Sequence, residues 1–423
     1  MKILVVGGGS GGHITPAVAV IREILDLKPR TQVEFWTDRK YYKNVVKITT
    51  EIGVRWGEND GKHSNYIRVR KIWAGKFRRY AGWTWKDWLR NFDVVWKDLI
   101  WGNFVGLLGF IGGILQSFGR LLWPKTRPDV IFLKGGFVGL PVGLVARLFG
   151  IPYVVHESDT VPGLANRILM RDAAMIATGW GEIKGQDGRK IVRVGIPVAP
   201  EFKIVSATRQ KTLKKNFGFD PEEPLVIFTG GSQGAENINL AVREILPELL
   251  EFTSAGLVAG RKWYEEMVDL KRYEEWDKAK LKSNFRMWEF NTTMNELLGA
   301  ADVVVSRAGA TTIAELAALE KAVILVPFER LPGGHQVKNA EKLAERGAVE
   351  VVLDEKMRNQ PSVLLEEIRH LVRSPKKRES LAKNLHAETT EEAARKLAKV
   401  IIGVGGNPKA ILEWRKKQRE TRK

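Results

Sequence analysis

The feature that most constrains this chain is a pair of similar series of short apolar runs, each opening on a glycine loop. Lys2–Gly7 (KILVVG) ends in glycines and is followed by a helix-like stretch, Pro16–Leu27, with Pro16 near its first turn. Strand-like runs then recur at Val33–Trp36, Val130–Leu133, Tyr153–His156, Met175–Ala177 and Ile191–Val194. A second series starts after Gly218, at Leu225–Thr229, Gly256–Gly260, Phe285–Trp288, Val303–Ser306, Val323–Pro327 and Val349–Leu353. Runs apolar on both faces, with helical patterns between them, are the pattern of parallel strands buried inside an α/β sheet. Gly195–Lys215 is loop-like and carries Pro197 and Pro200, which places the linker there. The expected fold is α/β, two doubly wound Rossmann-like domains facing a cleft. Residues 1–198 form the first, 199–400 the second, and 401–423 a basic tail able to pack back on the first.

Two segments stand outside that scheme. Lys62–Pro124 is too long for a βα connection in a compact domain. Its first part, residues 62–90, holds nine basic residues and one acid, Asp87. Trp85, Trp88, Leu89, Phe92, Val95, Trp96 and Leu99 then recur at helical spacing, opposite Lys86, Asp87, Arg90, Asp93 and Lys97. Leu99–Gly119 follows with 21 residues and no charge. That length could span a bilayer. The expected strands on either side belong to one sheet, however, and six glycines weaken a straight helix. An element lying in the membrane plane fits better, with tryptophans at the interface and Lys/Arg meeting anionic headgroups.

Charge supports an anionic partner. Of the net charge of +19, residues 1–195 hold +14. Nothing in the chain resembles an RNA- or DNA-binding module, so no nucleic-acid partner is expected. The chain has no cysteine, which excludes disulfides, thiolate metal sites and cysteine nucleophiles. Met1–Gly7 shows no charged leader followed by an apolar segment, so a cytoplasmic location is expected.

Several loops carry the chemistry. Gly7-Gly8-Gly9-Ser10-Gly11-Gly12-His13 leaves the first strand and opens a helix, where unpaired amides can meet oxygen or phosphate. Read literally it is a dinucleotide fingerprint, and Asp38 at the end of the second strand resembles a ribose-binding acid. His13 stands where loop meets helix and could take a proton from an acceptor hydroxyl. Thr229-Gly230-Gly231-Ser232-Gln233-Gly234 repeats the device in the second series. Two glycine loops suit one ligand held between domains better than a single dinucleotide. Ser306–Glu315 (SRAGATTIAE) enters another helix, with Glu315 about one turn in, able to accept from ribose hydroxyls. Pro332-Gly333-Gly334-His335-Gln336 and His156-Glu157-Ser158-Asp159 are further loops at element ends. Histidines and acids do not cluster with metal-ligand spacing, so no metal is expected.

GGGSGGHITPA, LKGGFVGLPVG, HESDTVPGLANRI, TGGSQGAENIN, SRAGATTIAELAAL and GGHQVKNAEKL, in that order, resemble the MurG family. Its members are UDP-N-acetylglucosamine:N-acetylmuramyl-(pentapeptide) pyrophosphoryl-undecaprenol N-acetylglucosamine transferases. The resemblance covers nearly all the chain except parts of 62–124 and the tail. It implies a GT-B fold, inversion at the sugar, no cofactor beyond UDP-N-acetylglucosamine as co-substrate, and lipid I as membrane-bound acceptor, giving lipid II. It further implies a peripheral enzyme on the cytoplasmic face of the cell membrane, in contact with an anionic surface and with cell-wall synthesis membrane proteins.

By the same resemblance, Ser232 contacts the diphosphate, and Ala310, Thr311 and Thr312 line sugar and phosphate with backbone. Glu315 binds the ribose, Asn291 packs near uracil through its backbone, and Gln336 meets the sugar hydroxyls. Ser10, Gly11 and Gly12 meet acceptor or donor phosphates. Asp159 stands where many relatives have Asn, and His13 is the general base. One departure is the linker, where Pro197-Val198 is followed by Ala199 instead of the family's Arg. The Trp-rich insert is also longer than usual. Three rival readings are a diacylglycerol-type lipid glycosyltransferase, an NAD-dependent oxidoreductase and an inactive membrane scaffold.

Overall fold

The computed structural model describes residues 1–57, 67–77, 100–180, 183, 188–231, 234–268, 283–329, 333–390 and 392–407. The chain divides into two compact units, Met1–Ala199 with Glu391–Lys423, and Pro200–Thr390. The return to the first unit starts ahead of the tail drawn from sequence. Helix Ala393–Gly406 packs on helix Gly11–Leu27 and buries Leu397, Ala398, Ile401 and Val404 beside it. Its apolar positions recur at helical spacing and need a sheet face to cover them, which the first unit supplies.

The first unit holds a seven-stranded parallel sheet in the order β3-β2-β1-β4-β5-β6-β7. The strands are β1 Lys2–Val6, β2 Gln32–Thr37, β3 Ile67–Lys71, β4 Val130–Leu133, β5 Tyr153–Glu157, β6 Met175–Thr178 and β7 Ile191–Arg193. Along β1, Ile3 and Val5 enter one core layer while Leu4 and Val6 enter the other. Both faces are therefore covered, which is why these runs read as continuous rather than alternating. β3 lies inside the segment that the sequence reading set apart. Its IRVRK sequence is only half-buried, because it is an edge strand, and so it lacks the apolar run that marks the others.

The uncharged run forms helix Gly102–Leu121. Its glycines are a contact face rather than a weakness. A Cβ at Gly113 would come within 2.2 Å of the Trp73 carbonyl, and one at Gly109 within 3.1 Å of the Ala74 carbonyl. Gln116 replaces a strand partner, accepting from the Trp73 amide at 2.9 Å and donating to the Lys71 carbonyl at 3.0 Å. The opposite face leaves Phe104, Leu108, Ile111 and Leu115 exposed. This is the one helix among the described residues long and apolar enough to cross a membrane, and only 22% of its most apolar window is buried. The Trp-rich helix expected over residues 85–99 lies outside the described residues.

The second unit has a six-stranded parallel sheet, order β10-β9-β8-β11-β12-β13. Its strands are β8 Leu225–Thr229, β9 Ser254–Val258, β10 Phe285–Trp288, β11 Val303–Ser306, β12 Ala322–Leu325 and β13 Glu350–Val351. In both sheets the order reverses beside the first strand, between β1 and β4 and between β8 and β11. Loops leaving the carboxyl ends at such a reversal diverge to opposite faces and open a crevice for ligand.

Candidate active site

In the first unit the reversal point is occupied by the glycine loop and His13. Helix Gly11–Leu27 begins earlier than the sequence suggests, so Gly11 and Gly12 are its first residues and Pro16 lies inside it. Ser10 sits at the cap position in extended backbone, its hydroxyl unused for capping. The amino end of a helix, with its positive dipole end, suits an anion entering the loop. Asp38 accepts from the Gly9 and Tyr41 amides and is pushed up by burial.

The His13 side chain is half-buried. Its Nδ1 is buried with no hydrogen-bond partner. Gly136, at φ 76°, makes room: a Cβ there would stand 3.1 Å from His13 Nε2. Burial, then the nearby Lys134 ammonium, hold the imidazole down at about 3, so it is neutral at physiological pH.

Asp159 is placed by Glu157. One Glu157 oxygen accepts the Asp159 amide at 3.0 Å; the other accepts the Gly163 amide at 3.1 Å and Asn166 at 2.8 Å. The residues most easily missed from sequence are here. Lys134 is 1% exposed and donates to Ser158 Oγ at 2.5 Å. The only signal for it was a lone lysine between an apolar strand and two glycines.

In the second unit the loops after β8 and β11 meet. Gly231, at φ 72°, faces Thr312, whose Oγ1 lies 3.9 Å from where a Cβ would be. Ser232 lies outside the described residues. Gly309 is the extended cap of helix Ala310–Ala318, so Ala310, Thr311 and Thr312 present the helix's first amides. Glu315 follows one turn later. Burial alone pushes its carboxyl up to about 8.

Asn291 spends its side-chain oxygen on the Thr293 amide and hydroxyl, at 2.7 and 3.0 Å. That leaves its side-chain N–H groups and its backbone for a ligand. Gln336 accepts from the Phe328 amide at 2.9 Å, which leaves its own N–H groups for hydroxyl acceptors. Behind these loops, Arg307 pairs with Asp354 and donates to the Val326 carbonyl at 3.1 Å. Asp354 also takes Asn237 at 2.6 Å. Among the described residues no three His, Asp or Glu side chains stand close enough together to hold a metal ion.

Comparison with known proteins agrees with this layout. Residues 3–178 match the glycosyltransferase family 28 N-terminal domain, and residues 225–400 match the family 28 C-terminal domain. Fold and loops together define a UDP-sugar-dependent glycosyltransferase of the GT-B class. Relatives named UDP-N-acetylglucosamine–N-acetylmuramyl-(pentapeptide) pyrophosphoryl-undecaprenol N-acetylglucosamine transferase include one from Thermoanaerobacter sp. (strain X514). It is 30% identical over 96% of this chain and 100% of its own. A protein of the same name from Geobacillus thermodenitrificans is 34% identical over 85% of this chain and 88% of its own. The crystal structure of Acinetobacter baumannii MurG, 21% identical, covers 95% of this chain and 98% of its own at a TM-score of 0.62. The chain belongs to the MurG family.

Proposed function

We propose that this protein transfers N-acetylglucosamine from UDP-N-acetylglucosamine to undecaprenyl-diphospho-N-acetylmuramoyl-pentapeptide (lipid I), with inversion at the sugar, giving lipid II for peptidoglycan. The observation that carries the reading is the junction in the second unit. The Gly230–Gly231 turn and the amino end of helix Ala310–Ala318 present backbone amides at the sheet reversal, and Glu315 follows one turn on. Amides there suit the diphosphate, and Glu315 suits the ribose diol, because its carboxyl oxygens accept from hydroxyl donors.

Displacement at C1 needs a deprotonating acceptor hydroxyl and a stabilised leaving group. The His13 imidazole, neutral at physiological pH, takes the proton. The helix amides hold the charge that grows on UDP, since fixed dipoles need no reorganisation as the bond breaks. Ser10, Gly11 and Gly12 offer the acceptor diphosphate the corresponding amides of the first unit.

The acceptor's polyprenyl chain calls for a membrane surface, and helix Gly102–Leu121 supplies one. Its glycine face is bound to Trp73–Lys76, and its Phe104, Leu108, Ile111 and Leu115 face outward. β3 before it and β4 after it pair into one sheet, which supports a helix lying in the interface over one that crosses. The cytoplasmic face of the cell membrane, with anionic lipid under the basic first unit, is the location this supports. Cell-wall synthesis membrane proteins are partners of the same surface.

The test is transfer of radiolabelled sugar from UDP-N-acetylglucosamine to lipid I in vesicles, run beside diacylglycerol as acceptor and NAD as competing ligand. Labelled lipid II alone supports the reading. Label on diacylglycerol, or none with binding of NAD, overturns it.

A further inference from the structure

The second unit holds a cavity of about 450 Å³ between helix Glu236–Leu249 and the turn joining helix Asp354–Asn359 to helix Ser362–Arg373. None of the residues assigned above to the sugar nucleotide lines it. Its walls are mixed. Leu240 and Pro361 give an apolar surface, while Arg243 and Arg358 bring two guanidiniums and Glu244 one carboxylate. Arg243 is half-buried, and its Nη1 is buried with no hydrogen-bond partner. A guanidinium nitrogen withdrawn from water and left unpaired is costly, because it has given up hydration without replacing it. Glu244 is exposed, so water weakens its repulsion of an anion. Asn237 also lines the cavity, and it leads to the loops of the candidate site. Its Nδ2 donates to Asp354 Oδ2 at 2.6 Å, and Asp354 pairs with Arg307, ahead of Ala310–Thr312.

We propose that this cavity is a second ligand site, for a small soluble organic phosphate, and that its occupation strengthens nucleotide binding through Asn237. The coupling rests on the transferase reading above; the phosphate site itself does not.

The chemistry of the walls selects the ligand. A phosphate monoester has oxygens enough for both guanidiniums, which take phosphate in forked pairs, whereas a carboxylate serves only one. Its organic part meets Leu240 and Pro361. The volume exceeds what a bare phosphate fills and lies in the range of small-molecule sites, about 300–1,000 Å³. An occupant packed on Asn237 holds the arm that holds Asp354. The two sites therefore reinforce each other, and by linkage each ligand strengthens the other by the same factor.

Phenyl phosphate is the test compound, titrated calorimetrically into the full chain with uridine diphosphate saturating, beside inorganic phosphate and phenol. The expected result is saturable binding of phenyl phosphate, weaker binding of inorganic phosphate and none of phenol. Arg243→Gln and Arg358→Gln should each weaken phenyl phosphate at least about tenfold, with folding checked by circular dichroism. Arg358 is exposed, so Arg358→Gln tests the site even where Arg243→Gln does not fold. No saturable binding, or wild-type affinity in either variant that folds, overturns the site. In a second titration phenyl phosphate should tighten uridine diphosphate binding about fivefold in wild type and not in Asn237→Ala. Uridine diphosphate affinity unchanged by phenyl phosphate overturns the coupling. A lipid phosphate shares this chemistry, so wild type and Arg358→Gln are also sedimented with vesicles of phosphatidic acid and phosphatidylcholine. Equal vesicle binding supports the soluble occupant; loss in Arg358→Gln overturns it. Should uridine diphosphate not bind at all, the transferase reading falls, while the two glutamine variants still decide the phosphate site.

Discussion

Arg307 and Asp354 form a buried ion pair within the second unit, with side-chain exposures of 11% and 9%. Arg307 belongs to the loop that leads to the amides of Ala310–Thr312. Asp354 opens helix Asp354–Asn359 and also binds Asn237, which lies on the helix that follows the glycine turn after β8. One carboxylate thus braces both of the loops assigned to the nucleotide. Asp354→Ala leaves a buried guanidinium unpaired and is expected to cost about 3–5 kcal/mol of stability. Asn237→Ala loses one arm without orphaning a charge. It should raise the KM for UDP-N-acetylglucosamine severalfold while the KM for lipid I stays put. Equal rises in both would sink the bracing role.

His13→Ala should lower turnover by about 100-fold or more with little change in affinity for uridine diphosphate, measured by calorimetry. The base acts on the acceptor and belongs to the first unit, whereas the nucleotide loops belong to the second. Comparable losses in turnover and nucleotide affinity would remove His13 from the mechanism.

Glu315 yields a pH test. Its folded value, about 8, lies above its ordinary 4.5, so the folded protein holds this proton more tightly than the unfolded chain. The resulting stability is complete below about pH 4.5 and is lost as pH rises through about 8. Glu315→Gln has no such proton to lose. Its Tm relative to wild type should therefore climb between pH 5 and pH 9, while its affinity for uridine diphosphate falls. A Tm difference flat across that range would show that the carboxyl is solvated.

The exposed face of helix Gly102–Leu121 can be tested without touching its glycine contacts. Leu108→Glu with Ile111→Glu places two charges on exposed positions, so folding should be unaffected. Binding to phosphatidylglycerol vesicles, followed by sedimentation, should weaken at least about tenfold. Turnover on a short-chain, water-soluble acceptor should be retained. Vesicle binding equal to wild type would show that this face meets something other than lipid.

The architecture was largely legible because parallel strands covered on both faces must be apolar throughout, and Val130–Leu133, Leu225–Thr229 and Val303–Ser306 were readable to the residue. The glycine loops were legible for a related reason: close backbone approach leaves few residue types to choose from. β3 was not, since an edge strand can be as polar as IRVRK and still pair. The six glycines of the uncharged run read as helix-weakening until their partner was visible; only the packing on Trp73–Lys76 shows that four of them form a contact face.

Sequence alone determined the two sheets, their ligand loops and the family, since these follow from local pattern and residue type. Tertiary structure decided the burial of Lys134, the Arg307–Asp354–Asn237 brace and the return of helix Ala393–Gly406 to the first unit. Each depends on groups far apart in the chain sharing a space without water, where a hydrogen bond or a charge has to be matched by a specific neighbour.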